Sequence, residues 1–165
     1  MNTQEIRAIL ANDPFVGPVF QGVYAIDQLS ALQLGAYVVN TSASNKNTGH
    51  WVAMWVTPYA VEYFDSYGRD PPEKIKRKCR TKQWICNGRF LQSPLSSVCG
   101  QYCIYYLLHR ARGDGLEKIV KEFDHDVDEN DMLVYEFIKE QYDMHKMKYL
   151  DTTGIIQQLK EHQNP

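Results

Sequence analysis

The sequence predicts a fold of both strands and helices, with strands in the first half of the chain and helices in the second. Two extended apolar segments, 51–56 and 61–65, flank Pro58, which is the pattern of a β-hairpin. Residues 99–111 are mostly apolar or aromatic, and this run is too long for a strand and is followed by Gly113. We therefore predict a buried central helix over this run, with further helices around it.

The other elements are predicted from local signals. Thr3 is expected to cap a first helix, because apolar residues recur at helical spacing up to Leu10, before Asn12-Asp13-Pro14. Residues 15–35 are predicted to be irregular. Further strands are expected over 36–41, 84–86 and 89–91, the last two around an Asn87-Gly88 turn, and further helices over 116–123, 131–145 and 153–162.

Length and composition indicate one ordered domain, 1–165. Hydrophobic residues make up 44% and charged residues 23% of the chain, ordinary values for a globular protein. The net charge of −2 predicts no general affinity for nucleic acid. The first residues do not have the pattern of a signal peptide, and no apolar run is long enough to span a bilayer, so a soluble intracellular protein is expected.

The cysteines are expected to remain free thiols in such a setting. They are Cys79, Cys86, Cys99 and Cys103. Their spacing forms no CxxC pair, and no pair of histidines completes a zinc ligand set, so no metal site is predicted.

Four residues supply the groups that a cysteine peptidase needs. Cys99 opens the predicted central helix, whose free N–H groups favour an anion, and His50 is the candidate for a thiolate–imidazolium pair with it. Asp65 is expected to orient the imidazole through the second ring nitrogen. The amide of Gln92, together with the backbone N–H of Cys99, is expected to form an oxyanion hole.

The predicted hairpin brings two of these residues together. If the chain turns at Thr57-Pro58, residues whose numbers add to about 115 face each other, as those of His50 and Asp65 do. Their Cβ atoms would then lie roughly 5 Å apart. A turn one residue longer would place the two side chains on opposite faces of the hairpin.

A purely structural role for Cys99 is the alternative interpretation. A cysteine at the start of an apolar helix is usually a core residue, as Cys103, one turn later, is predicted to be. Chemistry alone leaves both interpretations of Cys99 open. The remaining histidines are interpreted as solvated or capping residues without a catalytic role: His109, His125, His145 and His162.

The motifs that carry the four residues resemble a known family. They are Gly49-His50-Trp51, Tyr63-Phe64-Asp65-Ser66-Tyr67-Gly68, and Gln92 followed seven residues later by Cys99-Gly100. In order and spacing they resemble the adenain family, the adenovirus maturation proteases, with relatives in polinton-type and adintovirus-type elements, and more distantly the SUMO-specific proteases. The resemblance implies an α+β fold in which a small mixed sheet packs against the central helix that carries the nucleophile. It also implies His50 as base, Asp65 as its orienting acid, Gln92 in the oxyanion hole and Cys99 as nucleophile.

The resemblance also implies a substrate. The expected function is that of a cysteine endopeptidase that cleaves next to small residues, after glycine, and processes viral structural precursors in the virion and the host cell nucleus. Trp51 beside the imidazole favours a narrow cleft, and Gly49, Trp51 and Gly100 are predicted to contact substrate. The protein is expected to act as a monomer. Adenovirus enzymes carry Glu at the position of Asp65, and either carboxylate can orient an imidazole.

Activators are implied as well, although the chemistry itself requires no cofactor. Adenovirus proteases are stimulated by DNA and by a viral peptide disulfide-bonded to a cysteine between the acid and the glutamine. Cys79 and Cys86 lie in that interval, but neither falls clearly at the matching position. A basic run is either a DNA-binding segment or a solvated helix face: Lys74, Lys76, Arg77, Lys78, Arg80 and Lys82.

Two other functions remain open from the sequence. One is an isopeptidase that removes ubiquitin or SUMO from conjugates, and the other is a non-catalytic scaffold that binds DNA through the basic run. Serine hydrolase chemistry is disfavoured, because the chain has no Gly-x-Ser-x-Gly elbow.

Overall fold

A five-stranded mixed sheet forms the centre of the fold in the computed structural model, which describes residues 1–142. The strands lie in chain order across the sheet: β1 (Phe20–Ala25), β2 (Gly35–Asn40), β3 (Trp51–Val56), β4 (Ala60–Phe64) and β5 (Gln83–Cys86). The β1–β2 and β4–β5 pairs are parallel, and the two central pairs are antiparallel. The helices are α1 (Thr3–Asn12), α2 (Glu73–Lys76), α3 (Cys99–Ala111), α4 (Leu116–Lys121) and α5 (127–142, where the described residues end). The predicted α+β fold is confirmed.

Apolar residues cover both faces of the sheet. In β2, Ala36 and Val38 belong to the core beneath α1, α3, α4 and α5, whereas Tyr37 and Val39 belong to a second core on the opposite face. The second core is closed by Ile75 of α2 and by apolar residues of the segment 26–32. Burial on both faces explains why β2 and β3 are apolar at nearly every position instead of alternating with polar residues.

Helix α3 is the buried helix predicted over 99–111. Its side chains are buried from Tyr102 to Leu108. The ring of Tyr106 stacks on Phe64 of β4, with centroids 4.8 Å apart and planes within 5°. This packing holds the first residue of α3, Cys99, at a defined place beside the sheet.

The β3–β4 hairpin has the predicted strands but a different register. Ala53 faces Phe64, so facing residue numbers add to 117 instead of 115. The turn lies one residue later than expected because Thr57 closes it: its backbone N–H donates to the Ala60 oxygen at 2.9 Å, and its hydroxyl accepts from the Ala60 N–H at 3.0 Å. A change of two keeps every side chain on its predicted face, so His50 and Asp65 become diagonal neighbours.

Strand β1 contradicts the prediction that residues 15–35 are irregular. Only Val23 of its six residues is buried, and Gly22 interrupts the register with a φ of 128°. The segment therefore has little strand signal of its own. It becomes a strand because its backbone pairs with the strongly apolar β2, a partner that local propensity does not reveal.

Two smaller predictions are also wrong. Residues 89–91 do not form a strand after the Asn87-Gly88 turn, because β5 pairs with β4 in parallel and the Asn87 side chain binds the backbone of Asp65. The first helix is capped by Asn2, not by Thr3, since the Asn2 side chain accepts from the N–H groups of Gln4 and Glu5.

The described residues that follow α3 are mainly helical as predicted, with different bounds. The helix predicted over 116–123 is α4. Helix α5 begins at 127 and not at 131, because the Asp126 carboxylate accepts from the N–H of Asp128 at 2.9 Å and so caps an earlier turn. Residues 143–145 and the helix predicted over 153–162 lie outside the described residues. Within residues 1–142, no helix combines the length and apolar character needed to cross a membrane.

Candidate active site

The first turn of α3 presents the thiol of Cys99. Cys99 is the first residue of the helix, and its side chain is 9% exposed. No side chain caps this end of α3, so the first N–H groups and the positive end of the helix dipole face the sulfur. The backbone N–H groups of Trp51 and Gly100 also lower the pKa of this thiol. The environment therefore favours a negatively charged sulfur.

His50 joins this thiol to a buried carboxylate. Its Nε2 lies 2.5 Å from Oδ1 of Asp65, whose side chain is 3% exposed. Cys99 and the same imidazole shift each other's pKa, and since Nε2 is engaged with Asp65, Nδ1 is the ring nitrogen left for the thiol. The three side chains thus form a continuous relay in the order thiol, imidazole, carboxylate.

The relay shifts the pKa values of its members in the directions that create an ion pair. Burial of the Cys99 thiol raises its pKa, but the hydrogen bonds from His50 and from the N–H groups of Trp51 and Gly100 outweigh burial and lower it. Burial lowers the pKa of His50, but the hydrogen bonds and negative charges of Asp65 and Cys99 raise it to about 9. Between these two pKa values the pair is a thiolate and an imidazolium.

Gln92 lies in the same cleft with its amide held at both ends. Its Oε1 accepts from the Ser66 hydroxyl at 2.6 Å, and its Nε2 donates to the carbonyl of Ser96 at 3.2 Å and to the Ser96 hydroxyl at 3.1 Å. Gln92 is 1% exposed. Its orientation is therefore determined by the protein before any ligand binds.

An open cleft of about 660 Å³ contains the reactive groups. Its lining includes Gly49, His50, Trp51, Tyr67, Gln92 and Cys99, with residues from the N-terminus and from the 46–48 and 96–97 segments. Asp65 lies behind His50 and does not line it. Gly100 is also outside the lining: a Cβ at this position would meet Met1 at 3.2 Å and Ile6 at 3.4 Å. Of the three predicted substrate contacts, the structure places Gly49 and Trp51 in the cleft.

The comparisons with known proteins bear on the fold. No family model and no curated protein matches the sequence. The crystal structure of the ASFV pS273R protease superimposes with a TM-score of 0.57 and 17% sequence identity, over 79% of this chain and 63% of that one. The chain has a SUMO-protease-like cysteine-protease fold. It spans less than two thirds of the ASFV protease chain.

Two further solved structures are more weakly similar. A selenomethionine crystal structure of the ASFV pS273R protease has a TM-score of 0.44 and 23% identity, over 58% of this chain and 41% of that one. ChlaDub1 from Chlamydia trachomatis has a TM-score of 0.46 and 20% identity, over 58% of this chain and 47% of that one.

Three side chains that sequence reasoning did not single out support the candidate catalytic groups within the cysteine-protease fold. Tyr67 stacks on the imidazole of His50, with ring centroids 4.6 Å apart. Asn87 fixes the backbone of Asp65, accepting from its N–H at 2.9 Å and donating to its carbonyl at 2.8 Å. Ser66 binds the amide of Gln92. Ser66 and Tyr67 lie in the motif around Asp65, whereas nothing in the sequence connects Asn87 to it.

The basic run is only partly available to a polyanion. Arg77 and Arg80 pair with Glu73 at 3.3 and 3.8 Å, and the ammonium of Lys82 donates to the Thr57 carbonyl at 2.7 Å. Within residues 1–142, Lys74, Lys76 and Lys78 form no ion pair. The run is helical only over Glu73–Lys76.

The other cysteines have surroundings unlike those of Cys99. Cys103 is buried in the core, and its pKa is raised well above the ordinary value by burial. Cys79 is buried in the second core, and Cys86 is half-buried beside it. All four cysteines are free thiols in the structure.

Proposed function

We propose that the protein is a cysteine peptidase that uses Cys99 as nucleophile, His50 as acid and base, and Asp65 as the group that orients His50. The observation that carries the proposal is the relay itself. A buried carboxylate binds one ring nitrogen of His50, and the other is left for a thiol at the free end of a buried helix, in an open cleft. A core cysteine has no need of these partners.

The first step is attack by the Cys99 thiolate on the carbonyl carbon of a peptide bond, which forms a C–S bond and an oxyanion. Two donors are available for that oxyanion. One is the Nε2 group of Gln92, which donates to Ser96 in the free protein. The other is the backbone N–H of Cys99, which has no partner within α3 because it is the first residue of the helix.

The next steps restore the enzyme. The tetrahedral intermediate collapses as the C–N bond breaks, and the imidazolium of His50 gives its proton to the leaving amine, so a thioester of Cys99 remains. His50, now neutral, takes a proton from water, and the hydroxide adds to the thioester carbonyl. The C–S bond then breaks, a carboxylic acid is released, and the thiolate and imidazolium are regenerated.

For the substrate, we propose cleavage after glycine or another small residue in viral structural precursors, as an adenain-type maturation protease acting in the virion and the host cell nucleus. The aromatic walls support a preference for small residues, since Trp51, which follows His50 in the chain, and Tyr67, which stacks on its ring, both line the cleft. A bulky side chain next to the scissile bond would have to displace one of these rings. Substrate identity beyond this rests on the motif resemblance.

DNA and a short viral peptide are proposed activators on the same resemblance. Lys74, Lys76 and Lys78, which pair with no acid in the described part of the chain, support DNA contact. Half-buried Cys86 is the more accessible of the two candidate cysteines for a disulfide. Replacing Lys76, Arg77 and Lys78 by Glu should reduce DNA affinity and flatten its salt dependence. An unchanged salt dependence would remove DNA from the proposal.

The peptidase proposal is tested with fluorogenic Gly-Gly peptides and with fluorogenic ubiquitin and SUMO conjugates, using wild type, Cys99→Ala and the matched control Cys86→Ser. Wild type and the control should cleave the peptides, and Cys99→Ala should not. Cleavage by Cys99→Ala at the wild-type rate contradicts the mechanism. Preference for the conjugates would reassign the protein to the isopeptidases, and an inert wild type would support the scaffold.

A further inference from the structure

The residue that follows the catalytic acid makes an unusual set of contacts. Ser66 is 1% exposed and lies behind the cleft, so it does not face a substrate. Its carbonyl accepts from the N–H of Leu91 at 2.8 Å and from the N–H of Gln92 at 3.1 Å. Its hydroxyl lies 2.6 Å from Oε1 of Gln92. One residue thus holds Gln92 by both the main chain and the side chain.

The polar groups around the Gln92 amide determine which end faces the cleft. The backbone carbonyl of Ser96 can only accept a hydrogen bond, so the end of the amide next to it must be the NH2 group. The other end is then the carbonyl oxygen, and the Ser66 hydroxyl must give it its single hydrogen. The Ser96 carbonyl therefore excludes the flipped amide, and the Ser66 hydroxyl restricts rotation of the correct one.

We infer that Ser66 is a positioning residue for the oxyanion hole: its hydroxyl holds and polarises the Gln92 amide so that the NH2 group is directed at the developing oxyanion. The inference rests on the proposed peptidase function. Donation to Oε1 draws electron density from the amide nitrogen, which strengthens its N–H groups as donors. A donor fixed before the reaction stabilises a transition-state charge without reorganisation.

Ser66→Ala leaves Oε1 of Gln92 buried without a donor, so the amide is expected to rotate away from its productive orientation. We expect kcat to fall roughly 10- to 100-fold with little change in KM, a smaller loss than the roughly 100- to 1,000-fold expected for removing an oxyanion donor outright. Ser66→Thr keeps the hydroxyl and should recover much of the activity. Ser93→Ala is the matched control, since it removes another buried serine hydroxyl that takes no part in the hydrogen bonds of the Gln92 amide.

Two inhibitors of different chemistry distinguish the positioning role of Ser66 from a merely structural one. A peptide aldehyde forms a tetrahedral adduct with an oxyanion, whereas chloroacetamide alkylates the thiolate without creating one. Ser66→Ala should weaken aldehyde binding by about the factor lost in kcat/KM and leave the rate of Cys99 alkylation within about twofold. In a Gln92→Ala background, Ser66→Ala should cost nothing further, because it acts through the amide.

The inference is overturned if Ser66→Ala slows alkylation and turnover equally, if its cost persists in the Gln92→Ala background, or if it has no effect on aldehyde binding. Failure of the peptidase function looks different. In that case wild type itself neither hydrolyses the peptides nor binds the aldehyde, whatever occupies position 66.

Discussion

At the scale of single residues, the candidate site is a set of buried and half-buried polar groups that hold one another in place. Asp65 is held by Asn87 and aligns His50, His50 aligns the thiol, and Ser66 aligns Gln92. Asp65, Ser66 and Gln92 are buried, so each would be costly without its partner. Such mutual dependence leaves one arrangement of the side chains, which is what a preorganised reaction centre requires.

The first prediction concerns pH. Activity should rise with pH through the lowered pKa of Cys99, as the thiolate forms, and fall through about 9, as His50 loses the proton needed by the leaving amine. Asp65→Asn removes the negative charge that helps to raise the pKa of His50, so the falling limb should move to lower pH. The kcat should also fall by roughly 100-fold or more, because a neutral amide does not stabilise the imidazolium and can donate to the ring, which favours the wrong tautomer.

The measurement is kcat/KM as a function of pH for wild type, Asp65→Asn and Asp65→Glu. The Glu variant retains a carboxylate and should keep the falling limb near that of wild type. If Asp65→Asn leaves the falling limb in place, Asp65 does not control His50.

The second prediction also belongs to the residue scale and concerns Gly49. A Cβ at this position would lie 1.9 Å from Oδ1 of Asn40, whose side chain also accepts from the Ser42 N–H at 2.8 Å. Gly49→Ala should therefore displace the residue before His50 and lower kcat/KM by roughly tenfold or more. Asn40→Ala should remove the obstacle, so the double variant should be more active than Gly49→Ala alone. A double variant as impaired as the single one would show that Asn40 is not the obstacle.

At the scale of elements, the site depends on how α3 is docked on the sheet. His50 precedes β3, Asp65 follows β4, and Cys99 begins α3, so the relay joins three elements. Phe64 and Tyr106 stack where β4 meets α3, and Arg110 of α3 binds Glu62 of β4 at 2.8 Å. Fixed packing between the helix and the hairpin therefore sets the distance between thiol and imidazole.

The third prediction follows from that packing. Phe64→Ala should lower the free energy of unfolding by about 3–5 kcal/mol, because it removes a fully buried ring and leaves a cavity against Tyr106. Urea denaturation followed by circular dichroism measures this change. Phe64→Leu fills more of the space and should cost clearly less. Equal stability of Phe64→Ala and wild type would mean that the stack does not hold α3 on β4.

Elements also show where sequence reasoning succeeds and fails. The central residues of β2, β3, β4 and α3 are predictable because their continuous apolar runs are longer than those found in loops. The predicted register of the β3–β4 hairpin places the side chains on the correct faces, but the sum of facing residue numbers is two too low. The reason is that the Thr57 side chain sets the turn. Strand β1 could not be predicted, since its strand conformation comes from pairing with β2.

At the scale of the whole molecule, the chain brings together residues that are far apart in sequence. The motifs around His50, Asp65, Gln92 and Cys99 identify the candidates, and the structure places all four at one cleft or directly behind it. Asn87 and Ser66 could not be assigned from the sequence because their roles depend on tertiary hydrogen bonds to Asp65 and Gln92. The similarity to the ASFV pS273R protease extends over 79% of the chain, so the relay is set within a cysteine-protease fold.

The most direct test of the account is the site of labelling by a small amount of chloroacetamide at pH 6.5, determined by peptide mass spectrometry. If exposure decided reactivity, half-buried Cys86 would react before Cys99, which is 9% exposed. Because the thiolate is the reactive form and the relay lowers the pKa of Cys99, we predict selective labelling of Cys99 and its loss in His50→Ala. Labelling that favours Cys86, or selective labelling of Cys99 that survives His50→Ala, would contradict the thiolate–imidazolium pair on which the proposed function depends.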